Sequence, residues 1–448
     1  MPQAGIEYIV ITKKEVQMKL NVKRTVFTGF AFLAISAFWQ VYDGIIPKIL
    51  SNTFGMKETL TGAIMAIDNV LALFLLPLFG SMSDRTKTRI GKRMPFILCG
   101  SAVSIVALLL LPVADLAQNL PFFMIVLAVV LLAMASYRSP AVALMPDLTP
   151  KPLRSKGNAI INLMGTAGGI ITLLMIKFLV PAAIEGVQPD YRPLFFCLGI
   201  VMAGAIVILF VTIKENKYAE EAEKINCELG TEEELTEVQD NKTVMKKDVR
   251  KSMVFLLLSV ALWYMAYNAL TTAFSRYAEK VWGLTDGSFA DALLIATVTA
   301  VFSFVPIGIV SSKIGRKKTI LSGVTLITLC YFCGCFVNGM NWVVYVVFGL
   351  TGIAWAAINV NSYPMVVEMS KGSDVGKYTG LYYTFSMAAQ TITPILSGVF
   401  LEHFSYRTLF PYAVVFSFGS LLTMLMVKHG DSKPLTKKSV LENFDVDD

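Results

Sequence analysis

The fold is indicated most clearly by a short loop between two apolar segments, Gly80-Ser-Met-Ser-Asp84-Arg85-Thr-Lys-Thr-Arg89-Ile-Gly91-Lys92-Arg93. A partial copy occurs later in the chain as Gly308-Ile-Val-Ser-Ser312-Lys313-Ile-Gly315-Arg316-Lys317-Lys318. Each version has a glycine, a polar residue four positions later, a basic residue, a second glycine and a basic run. Asp84 and Ser312 occupy equivalent positions and are 228 residues apart.

A second pair of segments repeats at a similar interval. One apolar segment ends in Pro140-Ala-Val-Ala-Leu-Met-Pro146-Asp147 and another ends in Tyr363-Pro364-Met-Val-Val-Glu368, with Pro140 and Pro364 224 residues apart. Two repeats at similar spacing in unrelated loops indicate a duplicated unit. Parallel repeats of this kind occur in membrane carriers whose two halves rock about a central site.

The composition supports a membrane protein. Of the 448 residues 55% are hydrophobic and 16% are charged, and the mean hydropathy is +0.62, whereas soluble domains carry about 25% charged residues. A helix needs roughly 20 apolar residues to cross the bilayer, so the chain has room for about a dozen crossings and little room for a soluble catalytic domain. Long unbroken apolar runs exclude a transmembrane barrel, whose strands alternate apolar and polar residues.

Apolar windows bounded by charged residues or by Pro and Gly predict an all-α membrane protein with twelve spans. In the first half the predicted spans are 26–50, 58–82, 95–114, 119–147, 156–181 and 192–213. In the second half they are 252–282, 287–312, 318–338, 341–369, 375–402 and 407–427.

The segment between the two halves, residues 215–250, has eleven acidic and six basic residues and no apolar run. Such composition predicts a solvated linker that carries at most one surface helix. The resulting division is an N-terminal segment 1–25, a six-helix bundle 26–214, the linker 215–250, a second bundle 251–427 and a tail 428–448.

Basic residues predict the orientation, because lysine and arginine in short loops stay on the cytoplasmic side. With both termini inside the cell, 31 of the 39 basic residues lie in cytoplasmic segments, seven lie near outer ends and Arg138 lies within a span. The net charge of +7 then reflects topology and attraction to anionic lipids, and the dispersal of these residues excludes a nucleic-acid interface. The N-terminus lacks the residue order of a cleaved signal peptide.

The loop at residues 80–93 resembles the signature loop of the major facilitator superfamily. In more detail, Pro77 to Ile97 resembles the proton-coupled sucrose carriers of plants and their bacterial and animal relatives, which belong with the glycoside, pentoside and hexuronide to cation symporters. The segments Tyr137–Asp147 and Trp355–Pro364 are similar to the bacterial branch. The resemblance implies two pseudo-symmetric six-helix bundles in a cell membrane and symport of a sugar with a cation.

The sequence departs from these carrier families in two respects that bear on the identity of the coupling cation. Plant sucrose carriers have an acid in the fourth span where this chain has Leu131, and sodium-coupled melibiose carriers have paired aspartates where it has Ala72 and Leu76. The absence of that pair favours a proton over sodium as the coupling ion.

Three charged residues stand within predicted spans: Asp43, Asp68 and Arg138. An ionisable residue there costs at least ~2.5–3.5 kcal/mol on insertion scales, so each is a functional hypothesis. Asp68 is the first candidate for the cation-coupling acid and Asp43 is the second. The alternative is that either acid permanently pairs with a neighbour such as Asn69 or Arg138 and holds helices together. The guanidinium of Arg138 could instead bind sugar hydroxyls or the carboxylate of an acidic substrate.

Sugar sites combine aromatic faces with amide or acid groups. Residues of these kinds at mid-span depth are the substrate-binding candidates: Trp39, Gln40, Tyr137, Arg138, Asn162, Tyr264, Tyr267, Asn268, Trp355, Asn359 and Gln390. Most aromatic residues in such spans only pack, whereas unpaired amides in hydrocarbon are costly and are therefore the stronger candidates.

The loop residues Gly80, Asp84, Arg85, Gly91 and Arg93 are candidates for gating at the inner face. Glycine at position 80 permits a close approach of two helices, and Asp84 could lie near a helix N-terminus of the opposite bundle, where an anion is stabilised. The alternative for the basic residues is a positive-inside anchor, and both roles are expected for Arg93.

The function that these observations predict is cation-coupled uptake of a sugar or glycoside, sucrose among the candidates, by a monomer without cofactor or metal. The alternative is a carrier or exporter of another solute, such as an organic anion or a drug. An enzyme or an ATP-driven pump is disfavoured, because the chain has neither a Gly-x-x-x-x-Gly-Lys-Ser/Thr loop nor a His-Glu-x-x-His motif. Cys330, Cys333 and Cys335 lie in an apolar span, where cysteine packs as a small apolar residue.

Overall fold

The computed structural model describes residues 20–150, 153–182, 184, 187–228, 247–369 and 375–430. The predictions for most of the N-terminal segment (1–19), for the greater part of the linker (229–246) and for most of the tail (431–448) lie outside the described residues.

Each of the twelve predicted spans coincides with one long helix, and the ends differ from the prediction by at most five residues. The first half consists of α1 (Val22–Asn52), α2 (Glu58–Arg85), α3 (Met94–Leu116), α4 (Leu120–Leu148), α5 (Arg154–Leu179) and α6 (Arg192–Thr212). The linker begins with α7 (Glu215–Glu228). The second half consists of α8 (Lys247–Trp282), α9 (Ala290–Ile314), α10 (Arg316–Gly334), α11 (Trp342–Met369), α12 (Val375–His403) and α13 (Leu409–Leu425).

Eleven of the helices in the described part of the chain are long and apolar enough to cross a membrane. The remaining long helix, α10, has 19 residues and begins with three basic residues, Arg316 to Lys318, which lowers its hydropathy without changing its position in the bundle. The chain is thus an all-α, multi-pass membrane protein, as predicted.

The two halves pack in the same way, which supports the repeat inferred from the sequence. In the first half α1 packs against α5 and α6, α3 against α4 and α6, and α2 against α4. In the second half the equivalent contacts recur: α8 packs against α12 and α13, α10 against α11 and α13, and α9 against α11. Between the halves, α2 packs against α12 and α5 packs against α9, so the contacts between the bundles are also related by the repeat.

The two bundles approach each other closely at the distal end of the molecule, defined here as the end that carries the α1–α2, α8–α9 and α12–α13 loops. A Cβ atom on Gly62 would lie 2.0 Å from the carbonyl oxygen of Pro394, and one on Gly287 would lie 2.0 Å from that of Ile176. Only glycine permits backbones to come so near, and these two glycines are therefore needed for the observed closure.

Charged side chains also join the two bundles at the distal end. The Lys48 Nζ atom lies 3.0 Å from a carboxylate oxygen of Glu279, and an Arg276 Nη1 atom lies 3.1 Å from a carboxylate oxygen of Glu58. Lys48, Arg276 and Glu58 are almost completely buried, and the Tyr406 hydroxyl donates a hydrogen bond of 2.6 Å to Glu58. The distal end is closed by buried ion pairs as well as by backbone contact.

Helix α7 covers the opposite, proximal end of the first bundle. The buried Glu215 carboxylate accepts hydrogen bonds from the backbone N–H groups of Lys92, Arg93 and Met94 at 2.8–2.9 Å, which are unpaired donors at the start of α3. Arg24 of α1 forms an ion pair of 2.9 Å with Glu221. The surface helix expected in the linker is present and is attached to the first bundle.

Candidate functional site

The main cavity lies between the bundles and has a volume of about 240 Å³. Helix α1 contributes Gln40 and Asp43, and the second bundle contributes the other walls. Four of the candidates predicted from sequence therefore come together here: Gln40, Asp43, Tyr267 and Asn268.

Residues that line this cavity carry unpaired polar atoms. The Asn268 Nδ2 and Tyr331 Oη atoms are buried and have no hydrogen-bond partner within the described residues. The Asp43 carboxylate likewise accepts no hydrogen bond from the part of the chain that the structure describes. Leaving buried donors unpaired costs about 1–3 kcal/mol each, so the cavity is prepared for a ligand that both donates and accepts hydrogen bonds.

A second cavity of about 140 Å³ adjoins the first and is lined by Asn162 of α5, Trp355 and Asn359 of α11, and Phe304 of α9. Tyr267 and Thr297 line both cavities. The Tyr267 and Trp355 rings are stacked, with centroids 3.7 Å apart and planes inclined by 4°, and Tyr264 meets the Trp355 ring edge-on at 5.5 Å. Eight of the predicted candidates thus belong to these adjoining cavities or to the aromatic stack beside them.

Asp68 and Arg138 line a separate, narrow cleft inside the first bundle, together with Trp39. Asn69 donates a hydrogen bond of 3.1 Å to the Asp68 carboxylate, and the Arg138 guanidinium lies 5.5 Å from the centroid of the Trp39 ring. The cleft has a volume of only about 10 Å³. In this conformation it has no room for a sugar ring.

Two candidates lie away from the cavities. Tyr137 is completely buried in the core of the first bundle, where its Cβ atom faces Gly100. Gln390 lies on α12, half-buried, and lines neither cavity.

The candidate gating loop forms a charged cluster within the first bundle. The buried Arg93 side chain donates to Asp147 at 2.9 Å, to the Gly80 carbonyl at 3.3 Å, and also to Asp84. Asp84 thus pairs within its own bundle in this conformation rather than with a helix N-terminus of the other bundle.

The other loop candidates differ in their surroundings. Gly80 faces the Ser139 side chain of α4, where an added Cβ atom would lie 2.8 Å from the hydroxyl oxygen. Gly91 has a φ of +130° and lies directly beneath the Glu215 carboxylate, so both its backbone conformation and its lack of a side chain are required. Arg85 is exposed.

The second half reproduces part of this cluster. An Arg316 Nη1 atom lies 2.6 Å from a carboxylate oxygen of Glu368 and donates to the Pro364 carbonyl at 3.1 Å. This pair joins the start of α10 to the end of α11, as the pairs of Lys92 and Arg93 with Asp147 join the start of α3 to the end of α4. The sequence repeat is therefore also a repeat of side-chain contacts.

Sequence reasoning missed several residues that line the main cavity, and they share a common feature: they carry hydroxyl groups in otherwise apolar helices. They are Thr271, Thr297, Tyr331 and Thr351. The threonine hydroxyls donate to backbone carbonyls of their own helices, as in the 2.8 Å bond from Thr297 to Leu293. Such bonds are common in membrane helices, so the sequence held no signal that distinguishes these residues from structural ones.

Two membrane-embedded bundles with a polar cavity between them define a solute transporter. The family model for the Major Facilitator Superfamily matches residues 28–348 and 282–443, and the chain belongs to this family. It is accordingly a transporter and not an enzyme.

Known proteins similar to this chain include two bacterial sugar transporters. The isoprimeverose transporter of Lactiplantibacillus pentosus is 22% identical over 289 residues, which are 62% of this chain and 56% of that protein. The lactose permease of Lactobacillus helveticus is 24% identical over 330 residues, which are 69% of this chain and 48% of that protein. The chain thus spans about half the length of these curated relatives.

Solved structures support the fold. The crystal structure of a peptide transporter, POT, superposes with a TM-score of 0.66 and covers 91% of this chain and 93% of its own, with 12% sequence identity. At this identity the likeness concerns the fold alone.

Proposed function

We propose that this protein is a secondary transporter that couples the uptake of a sugar or glycoside to a cation, with a proton as the coupling ion, by alternating access of its two bundles. The observation that carries the proposal is the main cavity between the bundles, in which an acid, two amides and an aromatic ring converge from both halves. A sugar presents many hydroxyl groups that donate and accept, which matches the unpaired Asn268 and Tyr331 atoms. The names of the two sugar-transporting relatives support the same substrate class.

For the coupling group we propose Asp43 in place of Asp68. Asp43 lines the main cavity beside Gln40, so a cation bound there would be close to the substrate. A buried carboxylate without a partner is costly unless it is neutralised. Asp68 lies in the narrow cleft, where Asn69 donates to it, and its surroundings fit a structural role.

We further propose that the proximal end faces the cytoplasm, with both termini inside the cell, and that the chain works as a monomer in the cell membrane. The bias of basic residues toward the segments predicted from sequence to be cytoplasmic, 31 of 39, supports this orientation. The closed distal end would then be the outer gate.

The test is counterflow in proteoliposomes that contain the purified full-length chain. Labelled isoprimeverose or lactose should exchange, and an imposed pH gradient should drive accumulation. Exchange of an organic anion with no exchange of either sugar would favour the alternative carrier. Exchange that responds to neither a proton nor a sodium gradient would indicate that the protein is a uniporter.

The choice between the two acids is tested by matched substitutions. Asp43→Asn should retain counterflow and lose accumulation driven by the gradient, because the amide cannot bind a proton at neutral pH. Asp68→Asn provides the same chemical change outside the main cavity and should retain accumulation. The opposite pattern would assign coupling to Asp68.

A further inference from the structure

The Tyr267 side chain is a wall shared by two cavities. It lines both the main cavity, of about 240 Å³, and the second cavity, of about 140 Å³. Tyr267 is held in place by Trp355, whose ring is stacked on it at 3.7 Å. The neighbouring Thr297 is the other residue that lines both cavities.

Each cavity has its own complete set of groups for a polar ring. The main cavity offers Gln40 and Asn268, with Tyr267 as an aromatic face. The second cavity offers Asn162 and Asn359, with Trp355 as an aromatic wall. The same chemistry thus occurs twice, in two cavities that share Tyr267 and Thr297.

The volumes of the two cavities indicate how they are used together. Pockets for drug-sized ligands measure about 300–1,000 Å³, and the main cavity of about 240 Å³ falls below that range. Together with the second cavity of about 140 Å³, the combined volume falls within that range. One ring would contact the amides of one cavity, whereas two rings would contact the amides of both.

We propose that the two cavities are two subsites for a two-ring glycoside, with one ring in each cavity and the glycosidic linkage passing Tyr267 and Thr297, which line both. Tyr267 is then a specificity-determining residue that sets the number of rings accepted. This inference rests on the proposed sugar transport and specifies how the same site selects its substrate.

The experiment measures inhibition of isoprimeverose counterflow by unlabelled sugars with one ring, two rings and three rings. The wild-type protein should prefer two-ring sugars over xylose by roughly five- to tenfold or more, the effect of at least one additional net hydrogen bond. Tyr267→Ala removes the wall and should reduce this preference while admitting three-ring sugars. Tyr267→Phe keeps the ring and should keep the preference.

Two further variants test the assignment of the subsites. Asn359→Ala should weaken inhibition by two-ring sugars more than inhibition by xylose, and Asn268→Ala should weaken both. Phe302→Ala, an exposed position on the same helix as Thr297, controls for expression and folding.

The outcomes separate this inference from the proposed function. If no sugar exchanges in the wild-type protein, the proposed function itself fails. If sugars exchange but xylose competes as well as two-ring sugars, or if Tyr267→Ala leaves the ranking by ring number unchanged, the two-subsite assignment is overturned while sugar transport stands.

Discussion

The buried ion pair between Arg276 and Glu58 provides the sharpest test of the closed distal end. The two side chains are 6% and 5% exposed, and their nearest charged atoms are 3.1 Å apart. Neither of these two atoms makes a hydrogen bond within the described residues, so the pair is held by charge rather than by bond geometry. The substitution Glu58→Gln removes the negative charge opposite the buried Arg276 guanidinium, whose hydrogen bond within the described residues goes to the Thr272 carbonyl at 3.3 Å.

Removal of one partner of a buried pair costs about 3–5 kcal/mol. We take the lower end, about 3 kcal/mol, because hydrogen-bond geometry is lacking. The cost applies to the closed conformation, since an open distal end would let water reach Arg276. At 1.4 kcal/mol per tenfold change, the substitution should shift the equilibrium toward the open conformation by about two powers of ten.

The assay is a distance measurement between two spin labels at the distal end. Cysteines introduced at Ala117 and Asn338, both exposed, carry the labels in a protein whose six native cysteines have been replaced. Glu58→Gln should move the distance distribution to longer values. Lys57→Gln is the matched control, because Lys57 is 80% exposed and lies 3.7 Å from Glu402, and surface pairs of this kind contribute little.

The double substitution Glu58→Gln with Arg276→Gln completes the test. Because it removes both charges, it should restore part of the closed population relative to either single substitution. A folded Glu58→Gln protein with a wild-type distance distribution would refute the conclusion that this pair stabilises the closed end.

Three further predictions concern stability and closure. Gly62→Ala should disfavour the closed distal end by about 1–3 kcal/mol, because its Cβ atom would meet a backbone oxygen of α12 at 2.0 Å; Gly204→Ala, with open space around it, should leave the spin-label distances unchanged. Glu215→Ala should lower stability by about 1–3 kcal/mol through loss of three charge-assisted hydrogen bonds, seen as a lower Tm in detergent, whereas an unchanged Tm would show that α7 does not stabilise the first bundle. Arg316→Ala should lower the Tm by leaving the half-buried Glu368 carboxylate without its 2.6 Å partner, and Glu368→Gln in the same protein should recover part of the loss.

Much of the fold could be predicted because the apolar run that forms a membrane helix can be recognised from the local sequence alone. Twenty apolar residues in a row have few alternatives in a bilayer, so each predicted span coincides with a helix. The repeat around Gly80 and Gly308 also predicted that the halves would pack alike, which the matching contacts of Arg93 and Arg316 confirm.

The candidate site was only partly predictable, because spacing along a helix does not reveal which face meets the other bundle. Tyr137 and Tyr267 carry the same side chain at similar depth, yet the first is buried in a bundle core and the second separates two cavities. The ion pair between Glu58 and Arg276 joins residues more than 200 positions apart, and no local pattern indicates such a contact. These features arise from how the bundles meet.

The stacked Tyr267 and Trp355 rings have a practical consequence for measurement. The chain has five tryptophans, and the Trp355 indole, which lines the second cavity, lies parallel at 3.7 Å to the ring of Tyr267, which lines both cavities. Two chromophores held in this geometry couple their near-ultraviolet transitions, and whatever enters either cavity changes the environment of one of them. The protein therefore contains its own optical probe, and a ligand titration followed by tryptophan emission or near-ultraviolet circular dichroism needs no attached label.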